Sequence, residues 1–136
     1  MIQSLSHVTV YVLDQEAARG FYVEKLGFEV RSDITVGTFR WLTVGPKAQP
    51  GLQLVLMPLG VSPHMDAAAA DALKKMLQSG AIGCGIFETD DCRATYDQLK
   101  QQGVEFRSPP TQRPYGIEAV LVDNSGNWFS LVQRPR

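Results

Sequence analysis

His7, Cys84 and Glu88 are the side chains here whose spacing could carry chemistry. An imidazole can ligate a metal or move a proton near neutral pH. A thiol acts as nucleophile or soft-metal ligand only as thiolate, which needs a base or cation beside it. Cys84 follows His7 by 77 residues, and the same shift carries Asp14 to Asp91, Gln53 to Ser130, Leu54 to Leu131, Val55 to Val132 and Pro58 to Pro135. His7 is therefore the base that the repeat sets near Cys84. Glu88, four residues along the same stretch, either shares its face as a replacement base or stands at the strand end in water. Against these roles stand the plain ones, in which His7 is hydrogen-bonded and Cys84 packs as a small hydrophobe.

The elements that position these residues come twice. His7 to Phe28 and Cys84 to Val104 each run strand, turn acid, helix and closing glycine, although the helix ends slip by one residue because Gly27 corresponds to Gly103. A shared offset over so many landmarks points to a duplicated supersecondary unit. In the first copy, residues 5–13 alternate as a strand with His7, Thr9 and Tyr11 on one face. Asp14 caps a helix that Gly27 ends, and that helix covers Val8, Val10 and Val12. Strands follow at about 28–36, 38–45 and 51–57, the last aiming Gln53 and Met57 to the face of His7.

A loop over 58–65 leads to a helix from Asp66 to Gln78, stopped by Gly80, which has no counterpart after the second copy. That copy has a strand at about 82–89, a helix from Cys92 to Gln102 capped by Asp91, and strands near 104–108, 116–122 and 128–134. The run Asp123 to Asn127 is a turn. The expectation is one α+β domain over 1–136: a βαβββ module at about 1–60, a linker helix region at 61–80 and a second module at 81–136.

Composition excludes several classes. Thirteen basic against fourteen acidic residues, without a run of like charge, offer no nucleic-acid surface. No apolar stretch approaches the roughly 18 residues of a membrane span. Two cysteines close in sequence make no disulfide framework, so the expectation is a soluble protein of the cytoplasm.

The strings FYVEKLGFEV, DDCRATYDQLKQQGVEF and RPYGIEAVLVDNSGNWFSLVQ, with the doubled βαβββ layout, resemble the vicinal oxygen chelate superfamily of glyoxalase I, extradiol dioxygenases and fosfomycin- and bleomycin-resistance proteins. The resemblance covers nearly the whole chain outside the linker helix. It implies two tandem modules forming a half-barrel cleft, with metal ligands on the first and fourth strands of each. Carried over, those positions are His7, Gln53, Cys84 and Ser130.

The quartet departs from the family's histidines and carboxylates. Gln53 is a weak neutral ligand, Cys84 suits only a soft metal, and Ser130 replaces a glutamate that would also serve as the proton-transferring base. Hard ions want carboxylate oxygens, and zinc would lack a third strong ligand. The expectation is therefore no cofactor, with a divalent ion (nickel, zinc, iron or manganese) on His7, Gln53 and Cys84 as the alternative.

Aromatic residues offer a different use for the cleft. Tyr11, Phe39, Trp41, Tyr115 and Trp128 border it, Met57 adds an adaptable wall, and Arg113 stands at the mouth for an anionic group. Such walls suit a planar organic molecule, although each aromatic could equally fill the core. Two readings follow: a protein that binds or sequesters a small aromatic molecule, as bleomycin-resistance members do, or a metal-dependent lyase, isomerase or dioxygenase. The resemblance also implies a homodimer, for which exposed strand edges supply a motive.

Overall fold

The computed structural model describes all residues, Met1–Arg136. The chain runs β1 (His7–Val12), α1 (Gln15–Gly20), a π-helical turn (Phe21–Lys25), β2 (Glu29–Val36), β3 (Phe39–Gly45), β4 (Gln53–Pro58) and α2 (Ala67–Ser79), then β5 (Gly83–Glu88), α3 (Cys92–Gln101), β6 (Glu105–Arg113), β7 (Gly116–Val122) and β8 (Trp128–Gln133). Residues 1–74 and 75–136 form two compact units. Each holds a four-stranded sheet, ordered β1-β4-β3-β2 in the first and β5-β8-β7-β6 in the second. The β1–β4 and β5–β8 pairs are parallel and the others antiparallel, and neither sheet closes into a barrel.

In the first unit, alternation sends Val10 and Val12 to the same face as Leu54 and Leu56, and all four are buried with Ala18, Phe21 and Tyr22 of the helix. Leu56 is fully buried, so truncating it to alanine costs about 2–5 kcal/mol. The helix starts where the Asp14 carboxylate accepts from the Ala17 amide at 2.8 Å. It is tied down by Gln15, whose Nε2 donates to the Arg40 and Leu56 carbonyls at 3.0 and 2.9 Å.

The one-residue slip between the repeats has a structural cause. The first helix absorbs its extra residue as a π-helical turn, in which the Leu26 amide reaches back five residues to the Phe21 carbonyl at 3.1 Å. That turn sets Phe21 edge-on to Tyr22 at 5.2 Å, with Phe28 5.8 Å beyond. The second helix needs no such turn and ends on Gly103 at φ 88°.

In the second unit, α3 buries Cys92 and Leu99, the Cys92 thiol lying 3.5 Å from the Leu131 carbonyl, and Phe87 stacks on Phe129 at 4.4 Å. The Asp91 carboxylate caps α3 through the Ala94 amide, as Asp14 does for α1. The strand expected to end near 108 runs on to Arg113, past Pro109 and Pro110. The prolines are tolerated because β6 is an edge strand and they fall where its pairing shifts, between Ser108 and Thr111. No helix is long and apolar enough to cross a membrane.

Candidate functional site

The face of the first sheet opposite α1 gathers His7, Tyr11, Trp41, Gln53 and Met57. His7 lies opposite Gln53 and Tyr11 opposite Met57 across the β1–β4 pair, while Thr43 lies opposite Val55 on the neighbouring strand. Trp41, two residues before Thr43, shares that face, and its ring centroid stands 6.1 Å from that of His7. Tyr11, Trp41, Gln53 and Met57 are half-buried. Tyr11, Phe39 and Met57 continue into a pocket of about 370 Å³ that the loop from Pro58 to Met65 also lines.

A short chain of hydrogen bonds fixes the polar centre of this face. The Gln53 amide nitrogen of the backbone donates to the Ser6 carbonyl at 2.8 Å, and the Ser6 hydroxyl bonds His7 Nδ1 at 2.8 Å. Thr43, fully buried, donates its hydroxyl to Gln53 Oε1 at 2.7 Å. The side-chain oxygen that could have faced a ligand is thus already an acceptor.

The second sheet does not repeat this arrangement. The shift of 77 holds from β3 to β7, but β4 and β8 begin only 75 apart, because the connection Asp123–Asn127 is two residues shorter than Pro46–Leu52. Asp123 tightens it by accepting three backbone amides, from Ser125, Gly126 and Asn127, on Oδ1. As a result Ser130 pairs with Ile86, and Trp128 with Gly83. Cys84 is the extra residue of a bulge between Gly83 and Gly85, and its thiol donates to Asn127 Oδ1 at 3.3 Å. Burial, with the Asp123 carboxylate nearby, pushes this thiol up to about 11, so it is not a ready nucleophile.

The remaining expected residues find partners within their own unit. Glu88 bonds Arg134 at 2.7 Å and is exposed. Trp128 packs its ring against the Gly83 backbone, where a Cβ would collide with it. Tyr115 donates its hydroxyl to Glu118 Oε1 at 2.6 Å, and Arg113 stands 3.9 Å from the same oxygen. The anion beside Arg113 is therefore an internal one. Hydrogen bonds from Tyr115 and Ser130, with the Arg113 charge, hold the Glu118 carboxyl below the usual range despite partial burial.

Glu118 and Thr43 escaped the sequence reading. Glu118 is the position to which the shift of 77 carries Trp41, so the repeat itself held the signal. Nothing in the sequence marked Thr43, whose importance comes from its bond to Gln53.

The donor set does not fit a divalent ion. Gln53 offers a weak neutral oxygen that already accepts from Thr43, Ser130 offers a neutral hydroxyl, and the Cys84 thiol donates to Asn127 Oδ1, which leaves His7 as the one strong ligand of the four. No three His, Cys, Asp or Glu side chains come together as a metal-holding group.

Comparison with known proteins agrees with the fold. Residues 4–131 match the Glyoxalase/Bleomycin resistance protein/Dioxygenase superfamily. The uncharacterized protein YurT of Bacillus subtilis is 36% identical over 127 residues, 93% of this chain and 95% of its own. Among solved structures, UcmS2 is 50% identical with a TM-score of 0.92, covering 98% of this chain and 99% of its own. TnmS3, an antibiotic binding protein from Streptomyces sp. CB03234, is 31% identical with a TM-score of 0.77, each chain being covered to 98%. The duplicated βαβββ fold and these matches together place the chain in the glyoxalase/bleomycin resistance protein/dioxygenase superfamily.

Proposed function

We propose that this protein binds and sequesters a planar aromatic organic molecule, without a metal ion. The observation that carries the reading is the face of the first sheet opposite α1. Trp41 and Tyr11 flank the His7–Gln53 pair there, and Met57 opens into the 370 Å³ pocket. Aromatic walls with a few fixed polar groups bind such molecules by stacking and area burial. The antibiotic-binding relative TnmS3 supports the same class of role.

The family's metal-dependent lyase, isomerase and dioxygenase chemistry would need ligands and a base. This chain has replaced the glutamate position with Ser130 and committed Glu88 to Arg134. We read the two modules as one domain and the chain as a cytoplasmic homodimer. Both cysteines are free, and the edge strands β2 and β5 expose Val36 and Ile86.

The test is a fluorescence titration of EDTA-treated protein with planar polycyclic aromatics, fluorenone among them. Only Trp41 and Trp128 report, so Trp128→Phe isolates the face in question. Saturable quenching that persists in Trp128→Phe with EDTA present supports the reading. Binding that appears only when metal is restored contradicts it.

A further inference from the structure

We propose that the bound molecule presents a hydrogen-bond acceptor, a ring carbonyl or equivalent oxygen, to the side-chain amide of Gln53, and that Thr43 is the residue that sets this preference. The inference rests on the aromatic-ligand reading above and names the chemistry at its polar point.

An amide side chain is ambiguous: rotated one way it offers an acceptor, the other way two donors. In this structure the oxygen end is the one turned toward Thr43. Its hydroxyl is fully buried on β3 and donates to Gln53 Oε1 at 2.7 Å, which leaves the NH2 group as the part of Gln53 without a protein partner. Gln53 itself is half-buried on the face that holds Trp41 and His7. Its backbone is fixed by the bond to Ser6, so the donor is held in place before any ligand arrives.

A planar ring against Trp41 that carries an oxygen at its edge satisfies this NH2 group, and a ring lacking one leaves it unpaired. The arrangement also disfavours a cation, because the amide end left without a partner carries protons. Thr43 is a positioning residue, since it acts through Gln53 and not on the ligand.

Fluorenone and fluorene are a matched pair of probes, planar and nearly isosteric, differing by a carbonyl. Equilibrium dialysis of both against EDTA-treated wild type, Thr43→Val and Thr43→Ser gives a fluorenone-to-fluorene affinity ratio for each protein. The ratio should fall about three- to tenfold in Thr43→Val, the worth of one hydrogen bond, and be retained in Thr43→Ser. Gln53→Met should lose the preference in the same way and stands in if Thr43→Val does not fold. Retention of the wild-type ratio in Thr43→Val or Gln53→Met overturns the assignment of Thr43 and Gln53 while leaving the aromatic reading intact. Failure of both probes to bind wild type overturns the aromatic reading and this inference with it.

Discussion

Ser130 lies opposite Ile86 across the parallel β5–β8 ladder, two residues along from Cys84, whereas Gln53 lies directly opposite His7 in the first sheet. The two halves of the duplication are therefore not equivalent at His7, Gln53, Cys84 and Ser130. One half keeps a polar pair beside an aromatic wall. The other pairs its thiol with Asn127, its tryptophan with the Gly83 backbone and its carboxylate with Tyr115.

The thiol gives the most direct chemical check on the second half. With its folded value raised by burial, Cys84 should react slowly with iodoacetamide at pH 8, and the rate should climb with an inflection near 11. Because the folded state favours the neutral thiol, its contribution to stability is present below the ordinary value of 9.0 and fades as pH rises toward 11. Mass spectrometry of the alkylated peptide over pH 7–11 measures this. An inflection at the ordinary value would mean that burial does not hold the thiol neutral, and one below it would mean an activated thiolate.

Glu118 predicts the opposite pH behaviour. Its lowered folded value makes stability from the Tyr115 and Ser130 hydrogen bonds present above 4.5, the ordinary carboxylate value, and lost as pH falls through the depressed one. Glu118→Gln should flatten this acid-side dependence. Thermal melts of both proteins from acid to neutral pH measure the difference, and identical acid profiles would remove Glu118 from the account.

Gln15 anchors the first helix to two strands through a single side chain. Gln15→Leu loses both bonds and leaves the Arg40 and Leu56 carbonyls short of a donor, a cost of about 1–3 kcal/mol. Thermal denaturation should show the midpoint falling by roughly 3 °C or more. An unchanged midpoint would mean that burial alone holds the helix.

Most of this architecture was legible from alternation and caps. Asp14 and Asp91 each cap the helix they were expected to cap, and β7 spans the expected residues 116–122. Two things were hidden. The prolines at 109 and 110 read as a strand end because the edge position that tolerates them is a tertiary fact. The slip of β8 was masked because Ser130, Leu131 and Val132 align with Gln53, Leu54 and Val55 by sequence, while the shorter Asp123–Asn127 connection decides the pairing.

Gly83 tests the packing that this slip creates. Its backbone lies against the Trp128 indole, so Gly83→Ala must displace the ring. In a Trp41→Phe background Trp128 is the sole tryptophan, and its emission should shift to the red as the ring moves toward water. An unshifted spectrum with unchanged stability would contradict the close contact.

The central claim is that the His7–Gln53 face takes an organic molecule and not a metal. The most direct measurement is the metal bound after chelator-free purification and exposure to nickel, zinc, iron(II) and manganese, in wild type and in His7→Ala. The account predicts substoichiometric metal, equal in the two proteins. One ion per chain in wild type that disappears in His7→Ala would contradict it.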